Sequence, residues 1–412
     1  MKILIGVFQK DGIEHYIVQE NGVISLEVDP KNMYFENYTF IKLRDPIISS
    51  YESVRNGEGV FDFRYGPVTS GVGEAGIYHL YTYGERILSV DVDLSYKSRK
   101  LDQMISGRDP KEALKFVESI CGNFAFSHSV AFSRAVENSL GINIDPVTES
   151  LRIVGIELER IYNHLYVISQ LALAASQKVL SSHLSYLFEE SLRLNKIFSN
   201  SRYLKNFNRI GEIKIPDGEK LQTLKEGILK IIDDFKKLYD HALASGNFID
   251  RLYSTAVLKM SDALKIGITG PTLRATGVKE DLRYGNWMYE DLQISTKNDG
   301  DALSRMEVRA EEIFESSKII LQKIQILQKI QNFKTTPESM EKRSNGLGYC
   351  ESPSGTIVYV IETKDSKISD LYISTPSFFG FKGVANAMIG NVFTDFQFAI
   401  ESFGINFADA AL

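Results

Sequence analysis

One segment in the first half of the chain sets the strongest constraint on its fold. Residues 148–176 place apolar side chains three to four positions apart, which predicts a long helix. The segment is also apolar on most other sides, and such a helix is usually buried. Glu157, Arg160 and His164 share another face, where a solvated ion pair beside a histidine is the simpler interpretation. Because buried charges must be paired, we favour a buried polar network.

The remaining pattern predicts an α+β chain with helices in the middle and strands towards both ends. Asp109 and Pro110 form an N-cap signal for the first predicted helix. Further helical patterns cover residues 218–245, 301–331 and 391–403. Strand patterns cover residues 2–8, 15–19, 23–28, 60–65, 77–83, 86–94, 355–362 and 367–373. Residues 334–348 are interpreted as a polar linker.

Composition excludes several classes of protein. The 412 residues are 43% apolar and 24% charged, which is typical of a globular chain with a large core. A net charge of −6 argues against nucleic acid as the main partner. Two cysteines cannot form a disulfide framework or a tetrahedral zinc site, so we expect buried, reduced thiols in the cytoplasm. We expect neither a signal peptide nor a segment that spans a membrane.

Two short motifs suggest cofactor sites and lack part of the required pattern. Cys121-Gly122 precedes His128 as in a redox or metal site, but Phe124 stands where a CxxC pair needs its second cysteine. Residues 71–76 spell GxGxxG, yet a β-prone aromatic run follows them. A dinucleotide site requires a helix at that point, so we predict a hairpin or a loop that lines a cavity.

A series of motifs in a fixed order carries a resemblance to a known family. They are Gly66-Pro67, Gly84-Glu85, Tyr96, Cys121-Gly122, His128-Ser129, Glu157, Arg160, His164, Arg209-Ile210-Gly211, Gly270, residues 273–277, Asp281, Arg283, Gly300-Asp301, Arg305, Arg309, residues 376–378 and Asp395. The chain resembles the large subunit of energy-converting nickel–iron hydrogenases and the 49-kDa subunit of respiratory complex I. The likeness starts near residue 57. It implies a hydrogenase-like helix bundle over residues 57–412. Residues 1–56 form a β-rich segment by their strand patterns and have no clear counterpart in that family, and we expect them to dock another subunit.

The cysteine content departs from the hydrogenase pattern. The resemblance implies four thiolates, from two CxxC pairs, that hold nickel and iron. Only Cys121 remains of the first pair, and residues 401–409 contain no cysteine. Cys350 lies about fifty residues too early to replace the second pair. We therefore expect no metal and no other cofactor bound by this chain.

In the complex I members the corresponding cavity binds quinone through a histidine and a tyrosine. The tyrosine matches Tyr96, whereas the histidine position falls on Thr69. We predict that Tyr96, Thr69 and His128 orient the acceptor, which is quinone or another small molecule. The cavity would also be lined by Cys121, Arg274 and Asp395. A proton relay would use Asp102, Glu157, Arg160 and His164.

The resemblance also implies partners and a location. We expect a small subunit with an iron–sulfur cluster that supplies electrons, and membrane-arm subunits that couple the reaction to proton translocation. The chain would be a peripheral subunit on the cytoplasmic face of the cell membrane. Two alternatives remain: an inert scaffold or coupling subunit whose cavity is closed by side chains such as Phe124, and a conventional nickel–iron hydrogenase.

Overall fold

The computed structural model describes residues 2–10, 13–28, 46–51, 54–68, 74–329 and 344–412. Within these ranges the chain has the predicted α+β fold. Long helices pack together, and small antiparallel sheets from both parts of the chain lie against them. Thr69 and residues 71–73 of the glycine-rich motif lie outside the described residues. A strand rather than a helix follows Gly76, as predicted.

Three strands near the N-terminus form the first sheet, in the order β1-β2-β3. They are β1 (Ile3–Lys10), β2 (Ile13–Glu20) and β3 (Val23–Glu27). Asn21 and Gly22 join the last two strands, with φ values of 50° and 74°. Positive φ at both positions is what a two-residue hairpin turn requires, so the predicted turn is confirmed.

Four strands form the second sheet, in the order β4-β7-β6-β5. They are β4 (Ile47–Ser49), β5 (Val60–Tyr65), β6 (Ile77–Tyr83) and β7 (Arg86–Asp93). β4 was not predicted, because three residues are too few to display an alternating pattern. It pairs antiparallel with β7, so the segment before residue 57 contributes a strand to this sheet.

The remaining strands form a two-stranded pair and a C-terminal sheet of order β10-β11-β12. They are β8 (Asn208–Arg209), β9 (Glu212–Ile213), β10 (Asn345–Ser352), β11 (Gly355–Lys364) and β12 (Lys367–Ser374). The predicted linker is wrong at its end, since residues 345–348 already belong to β10. Gly346 and Gly348 favour a loop by their residue type, but in the structure they allow β10 to pack closely on helix α3.

Thirteen helices occur in the described ranges. They are α1 (Leu101–Ile105), α2 (Pro110–Val117), α3 (Ala125–Leu140), α4 (Pro146–Ala174), α5 (Lys178–Ser199), α6 (Gly218–Ala244), α7 (Gly246–Leu252), α8 (Met260–Ile266), α9 (Gly270–Arg274), α10 (Ala302–Lys329), α11 (Pro376–Ala387), α12 (Phe396–Phe403) and α13 (Phe407–Ala411). None of them is long and apolar enough to cross a membrane.

Helix α4 lies at the centre of the bundle. It begins at the signal Asp145-Pro146, where the Asp145 side chain accepts from the backbone N–H groups of Val147 and Thr148 at 2.9 Å. It contacts α3, α5, α10 and α12, and nearly all of its side chains are buried. The prediction of a buried helix with a buried polar network is confirmed.

Several helices were not predicted, and α5 and α11 are the longest of them. Helix α5 has a buried stripe, but six serine and asparagine residues weaken its helix propensity. Helix α11 begins at Pro376 and contains three phenylalanines and two glycines. Glycine is a poor helix former, so this stretch was interpreted as irregular. Tertiary packing supplies the stability, since α11 lies against α8, α12, α13 and β7.

The first sheet packs against the C-terminal sheet. The Thr356 hydroxyl of β11 donates to Oε1 of Gln19 in β2 at 2.6 Å, and both residues are buried. The Ser374 hydroxyl of β12 donates to the carbonyl of Ile5 in β1. Residues 2–28 are therefore held to strands more than 300 residues away in sequence.

Candidate functional site

The Cys121 segment leads into helix α3. A single turn of 3-10 helix (Gly122–Phe124) follows Cys121, and no side chain of the segment itself caps α3. Glu159 of α4 takes that role by accepting from the N–H groups of Phe126 and Ser127, at 2.7 and 2.9 Å. Two first-turn amides that would otherwise lack partners are thereby satisfied, and Cys121 is held against α4.

Cys121 is a buried thiol in acidic surroundings. Burial raises its pKa well above the usual value, and the carboxylates of Asp409 and Glu74 raise it further. The thiol therefore stays protonated at neutral pH, whereas the thiolate is the form that binds metals or acts as a nucleophile. Glu74 also accepts from the N–H of Ala408 at 3.1 Å, which brings the C-terminal helix beside the cysteine.

His128 lies fully buried between two partners. Its Nε2 is 2.8 Å from Oδ1 of Asp409, and its Nδ1 is 2.8 Å from the Tyr359 hydroxyl. A neutral imidazole satisfies both contacts when Nε2–H donates to the carboxylate and Nδ1 accepts from the tyrosine. Asp409 also accepts from the Ser377 N–H at 3.2 Å. Sequence reasoning missed Asp409, although it lies in the tail where the second cysteine pair was sought.

These side chains do not fit a nickel–iron centre. Such a centre needs four thiolates, and the site offers one protonated thiol, with Phe124 buried close by in sequence. No three His, Cys, Asp or Glu side chains of the described residues are arranged to hold a metal ion. The donor set instead resembles an acid–base site with a thiol beside it.

Tyr96 lies near this site on a 3-10 helix (Ser95–Lys97) that contacts α13. The Tyr96 side chain is half exposed. The neighbouring Lys97 lies close enough to Glu74 for its ammonium to lower the pKa of the Glu74 carboxyl, although burial raises that pKa by more. The Arg99 guanidinium donates to the carbonyls of Ser119, at 2.9 Å, and of Ile120. The structure thus brings the predicted tyrosine segment beside the residues that precede Cys121.

Three other predicted residues lie elsewhere. Asp102 is exposed in the first turn of α1, where it accepts from the Gln103 N–H at 2.9 Å. Asp395 is partly exposed and lies 3.8 Å from the Arg251 guanidinium. Arg274 belongs to a separate buried ion network rather than to the surroundings of Cys121.

That network joins α4, α9, α10 and β10 below the surface. Arg274 lies 2.6 Å from Glu312, 3.0 Å from Asp281 and 3.0 Å from Glu351. All four side chains are nearly inaccessible to solvent. Arg274 and the other guanidinium groups hold the pKa of Glu312 well below its usual range, although burial alone would raise it. The result is a dense cluster in which every carboxylate has a cationic partner.

The predicted trio belongs to the same network. Glu157 lies 3.1 Å from Arg160 and 3.3 Å from Arg283. His164 Nε2 lies 2.8 Å from Glu312, while its Nδ1 lies 3.2 Å from a guanidinium nitrogen of Arg309. A guanidinium can only donate, so Nδ1 must be the acceptor and Nε2 must carry the proton. The imidazole is therefore neutral in this arrangement.

We expect His164 to remain a neutral Nε2–H tautomer under mild acid. Burial is the main cause that lowers the pKa of His164 to about 3; Arg309 and Arg160 also lower this pKa, and Glu312 opposes the shift. NMR with nitrogen-labelled histidine should show its ring unchanged between about pH 8 and pH 5, where an ordinary histidine titrates. A protonated signal for His164 within this range would contradict the assigned tautomer.

The lowered pKa of His164 also makes the stability of the folded chain depend on pH. The unfolded chain binds a proton at this histidine below about pH 6.5, whereas the folded chain does not until about pH 3. Acidification through that window therefore favours unfolding, and this contribution to pH dependence vanishes above it.

Comparisons with known proteins agree with this fold. Residues 99–178 match the family model of the nickel-dependent hydrogenases, and residues 181–345 match that of the 49-kDa subunit of the respiratory-chain NADH dehydrogenase. The membrane-bound hydrogenase subunit alpha of Pyrococcus furiosus is 28% identical over 360 residues, which span 82% of this chain and 84% of that relative.

Further relatives extend the likeness to complex I. An NADH-quinone oxidoreductase subunit of Carboxydothermus hydrogenoformans is 25% identical over 341 residues, which span 79% of this chain and 91% of that protein. A chain of the membrane-bound sulfane sulfur reductase, an archaeal respiratory membrane complex, has a similar fold, with a TM-score of 0.79 and 18% identity. The match covers 86% of this chain and 99% of that one. The chain is thus similar to the large subunit of nickel-dependent hydrogenases and to the 49-kDa subunit of the respiratory-chain NADH dehydrogenase.

Proposed function

We propose that this chain is the acceptor-site subunit of a complex I-like or hydrogenase-like respiratory complex at the cytoplasmic face of a membrane. Electrons pass from an iron–sulfur subunit beside it to quinone, or another small acceptor, bound near Cys121. Membrane-arm subunits couple this transfer to proton translocation. Support comes from the relatives, which include a membrane-bound hydrogenase subunit and NADH-quinone oxidoreductase subunits.

The observation that carries the proposal is the buried pair of His128 and Asp409 beside the protonated Cys121. A hydrogenase would need thiolates at this place, whereas reduction of a quinone needs proton donors and hydrogen bonds to its carbonyl oxygens. An imidazole held between a carboxylate and a tyrosine hydroxyl can supply a proton and recover it. Tyr96, on the segment that contacts α13, would add a hydrogen bond to the acceptor.

Substitution of Tyr96 by phenylalanine tests the pocket. In the purified complex we expect Tyr96→Phe to lower the rate of quinone-analogue reduction about tenfold, because one hydrogen bond of about 1.5 kcal/mol is lost. Tyr186→Phe is the matched control, since Tyr186 is equally exposed, at 55% against 51%, but lies on α5. Equal rates for wild type and Tyr96→Phe would exclude Tyr96 from the acceptor site.

A catalytically inert coupling subunit is the second candidate. Phe407 of α13 packs directly on Gly76, where an added Cβ would lie 2.1 Å from its ring, and it also contacts Phe381 at a ring-centroid distance of 4.5 Å. This aromatic packing close to Asp409 favours a filled site. A complex that oxidises its electron donor normally after both Tyr96→Phe and His128→Gln would support the inert subunit.

A further inference from the structure

A cleft opens on the side of the molecule where β10 lies against α3. Its volume is about 460 Å³, and its lining includes Arg134, Glu149, Trp287, Tyr349 and Cys350. Trp287 is largely exposed, so the cleft reaches solvent, whereas Cys350 at its inner wall is almost inaccessible. Arg134 and Glu149 form an ion pair there. Helix α3 itself contributes Arg134 to the lining of the cleft.

A line of polar side chains leads inward from this wall. The Ser127 hydroxyl lies close enough to the Cys350 thiol to lower its pKa, although burial raises that pKa to about 12 overall. The same hydroxyl donates to Glu159 Oε2. Glu159 Oε1 accepts from the Tyr162 hydroxyl at 3.3 Å. Each step is within the reach of a hydrogen bond or a direct contact.

The inner end of this line is the Cys121 segment. The Tyr162 hydroxyl lies 3.1 Å from the carbonyl oxygen of Gly122, the residue after the cysteine. Tyr162 is close enough to Cys121 for the thiol to raise the pKa of the tyrosine, after the larger effects of burial and Glu159. The line therefore connects a cleft that is open to solvent with the proposed acceptor site through buried residues.

Glu159 is a fully buried carboxyl group. Its contacts are two backbone N–H groups and the hydroxyls of Ser127 and Tyr162, and it pairs with no cation among the described residues. Burial raises the pKa of Glu159 to about 7, and the four hydrogen bonds oppose that rise. A group that is half protonated near neutral pH can both accept and release a proton.

We propose that Cys350, Ser127, Glu159 and Tyr162 form a proton path from this cleft to the Cys121 site. The inference rests on the proposed function and extends it. A quinone that receives two electrons from the iron–sulfur subunit takes up two protons to become a quinol. The path supplies protons to the site, and Glu159 is reprotonated from the cleft through Ser127.

The groups that face Glu159 are few. Helix α3 presents Ser127, β10 presents Cys350, and α4 itself presents Tyr162. The charged groups that affect the pKa of Cys350 are Arg134 and Arg160, which lower it, and Glu159, which raises it. Proton exchange at Glu159 therefore depends on uncharged hydroxyl and thiol groups rather than on a salt bridge.

A purely structural role for Glu159 is the competing explanation, because the carboxylate caps α3. Two variants separate the roles. Glu159→Gln keeps an acceptor oxygen for one of the two α3 amides but cannot transfer a proton. Ser127→Ala keeps Glu159 itself and removes the link to the cleft. Ser133→Ala is the matched control, since Ser133 is an equally buried serine on the same helix that contacts Asn208 instead.

The first measurement detects the proton on Glu159 directly and does not require the complex to reduce quinone. Infrared spectra of the intact complex should show a carboxyl band that titrates near pH 7, disappears in Glu159→Gln and shifts on transfer to heavy water. We expect Ser127→Ala to slow that shift at least about tenfold, because a hydroxyl in this chain of donors is lost. Ser133→Ala should leave the shift unchanged. Equal exchange rates in wild type and Ser127→Ala would overturn the path.

The second measurement links the path to the reaction. We expect Glu159→Gln to reduce quinone-analogue turnover about a hundredfold and to remove its pH dependence around neutrality, as loss of a positioned proton donor does. Reduction of the iron–sulfur subunit should stay at the wild-type rate. Wild-type turnover and an unchanged pH profile in Glu159→Gln would overturn the path. If wild type reduces no quinone while the exchange result holds, the path stands and the proposed function fails.

Discussion

We expect replacement of Arg274 by methionine to lower the free energy of unfolding by about 3–5 kcal/mol, as removal of one partner from a buried ion pair does. Three carboxylates within 3.0 Å of the guanidinium would lose a cation, and solvent cannot reach any of them to compensate. Methionine retains much of the volume, so the effect reports charge rather than a cavity. Chemical denaturation of the purified protein measures it.

The control for this substitution is Arg193→Met. Arg193 also pairs with a carboxylate, Glu189, at 3.1 Å, but 64% of its side chain is exposed. Exposed pairs contribute about 0–1 kcal/mol. A loss of less than about 1 kcal/mol for Arg274→Met would mean that Arg160 and Arg283 are sufficient for the network, and that Arg274 is not its centre.

We expect replacement of Gly348 by valine to destabilise the protein by about 3 kcal/mol or more, at the upper end of what overpacking costs. A Cβ atom at this position would lie 2.2 Å from the Ala131 carbonyl oxygen and 2.2 Å from the Ala135 nitrogen of α3. Both are backbone atoms of a buried helix, so they cannot rotate away. β10 would have to separate from α3.

Gly218→Ala provides the comparison for that variant. Gly218 begins helix α6, and a Cβ there would meet nothing within 4 Å. Alanine at a compatible position restricts the unfolded chain and stabilises by about 0.4–1 kcal/mol. Melting temperatures of the two variants should therefore move in opposite directions. A Gly348→Val protein that melts with the wild type would contradict the close packing of β10 on α3.

The sequence predicted long elements well because their periodic patterns are strong. Helix α4 and the strands β6 and β7 lie close to their predicted ranges. It failed where packing overrides local propensity, as in α11 with its glycines and in β10 with Gly346 and Gly348. No local signal in these stretches indicates a partner that becomes adjacent only in the folded chain.

The candidate site was predictable only in part for the same reason. The spacing within α4 identified Glu157, Arg160 and His164 as a network, but nothing near them in sequence indicates Glu312 or Asp281. His128 was identified, while its partner Asp409 lies 281 residues away. Family resemblance supplied the roles of Tyr96 and Asp102, and these roles stay predictions.

The short strand β4 has a practical consequence for anyone who trims this protein. A version that starts at residue 57 would leave the outer side of β7 with free backbone donors and acceptors. Exposed sheet margins of this kind recruit other chains and promote aggregation. Poor solubility of such a shortened protein would then reflect a missing neighbour in the sheet, and would say nothing against the chemistry near Cys121.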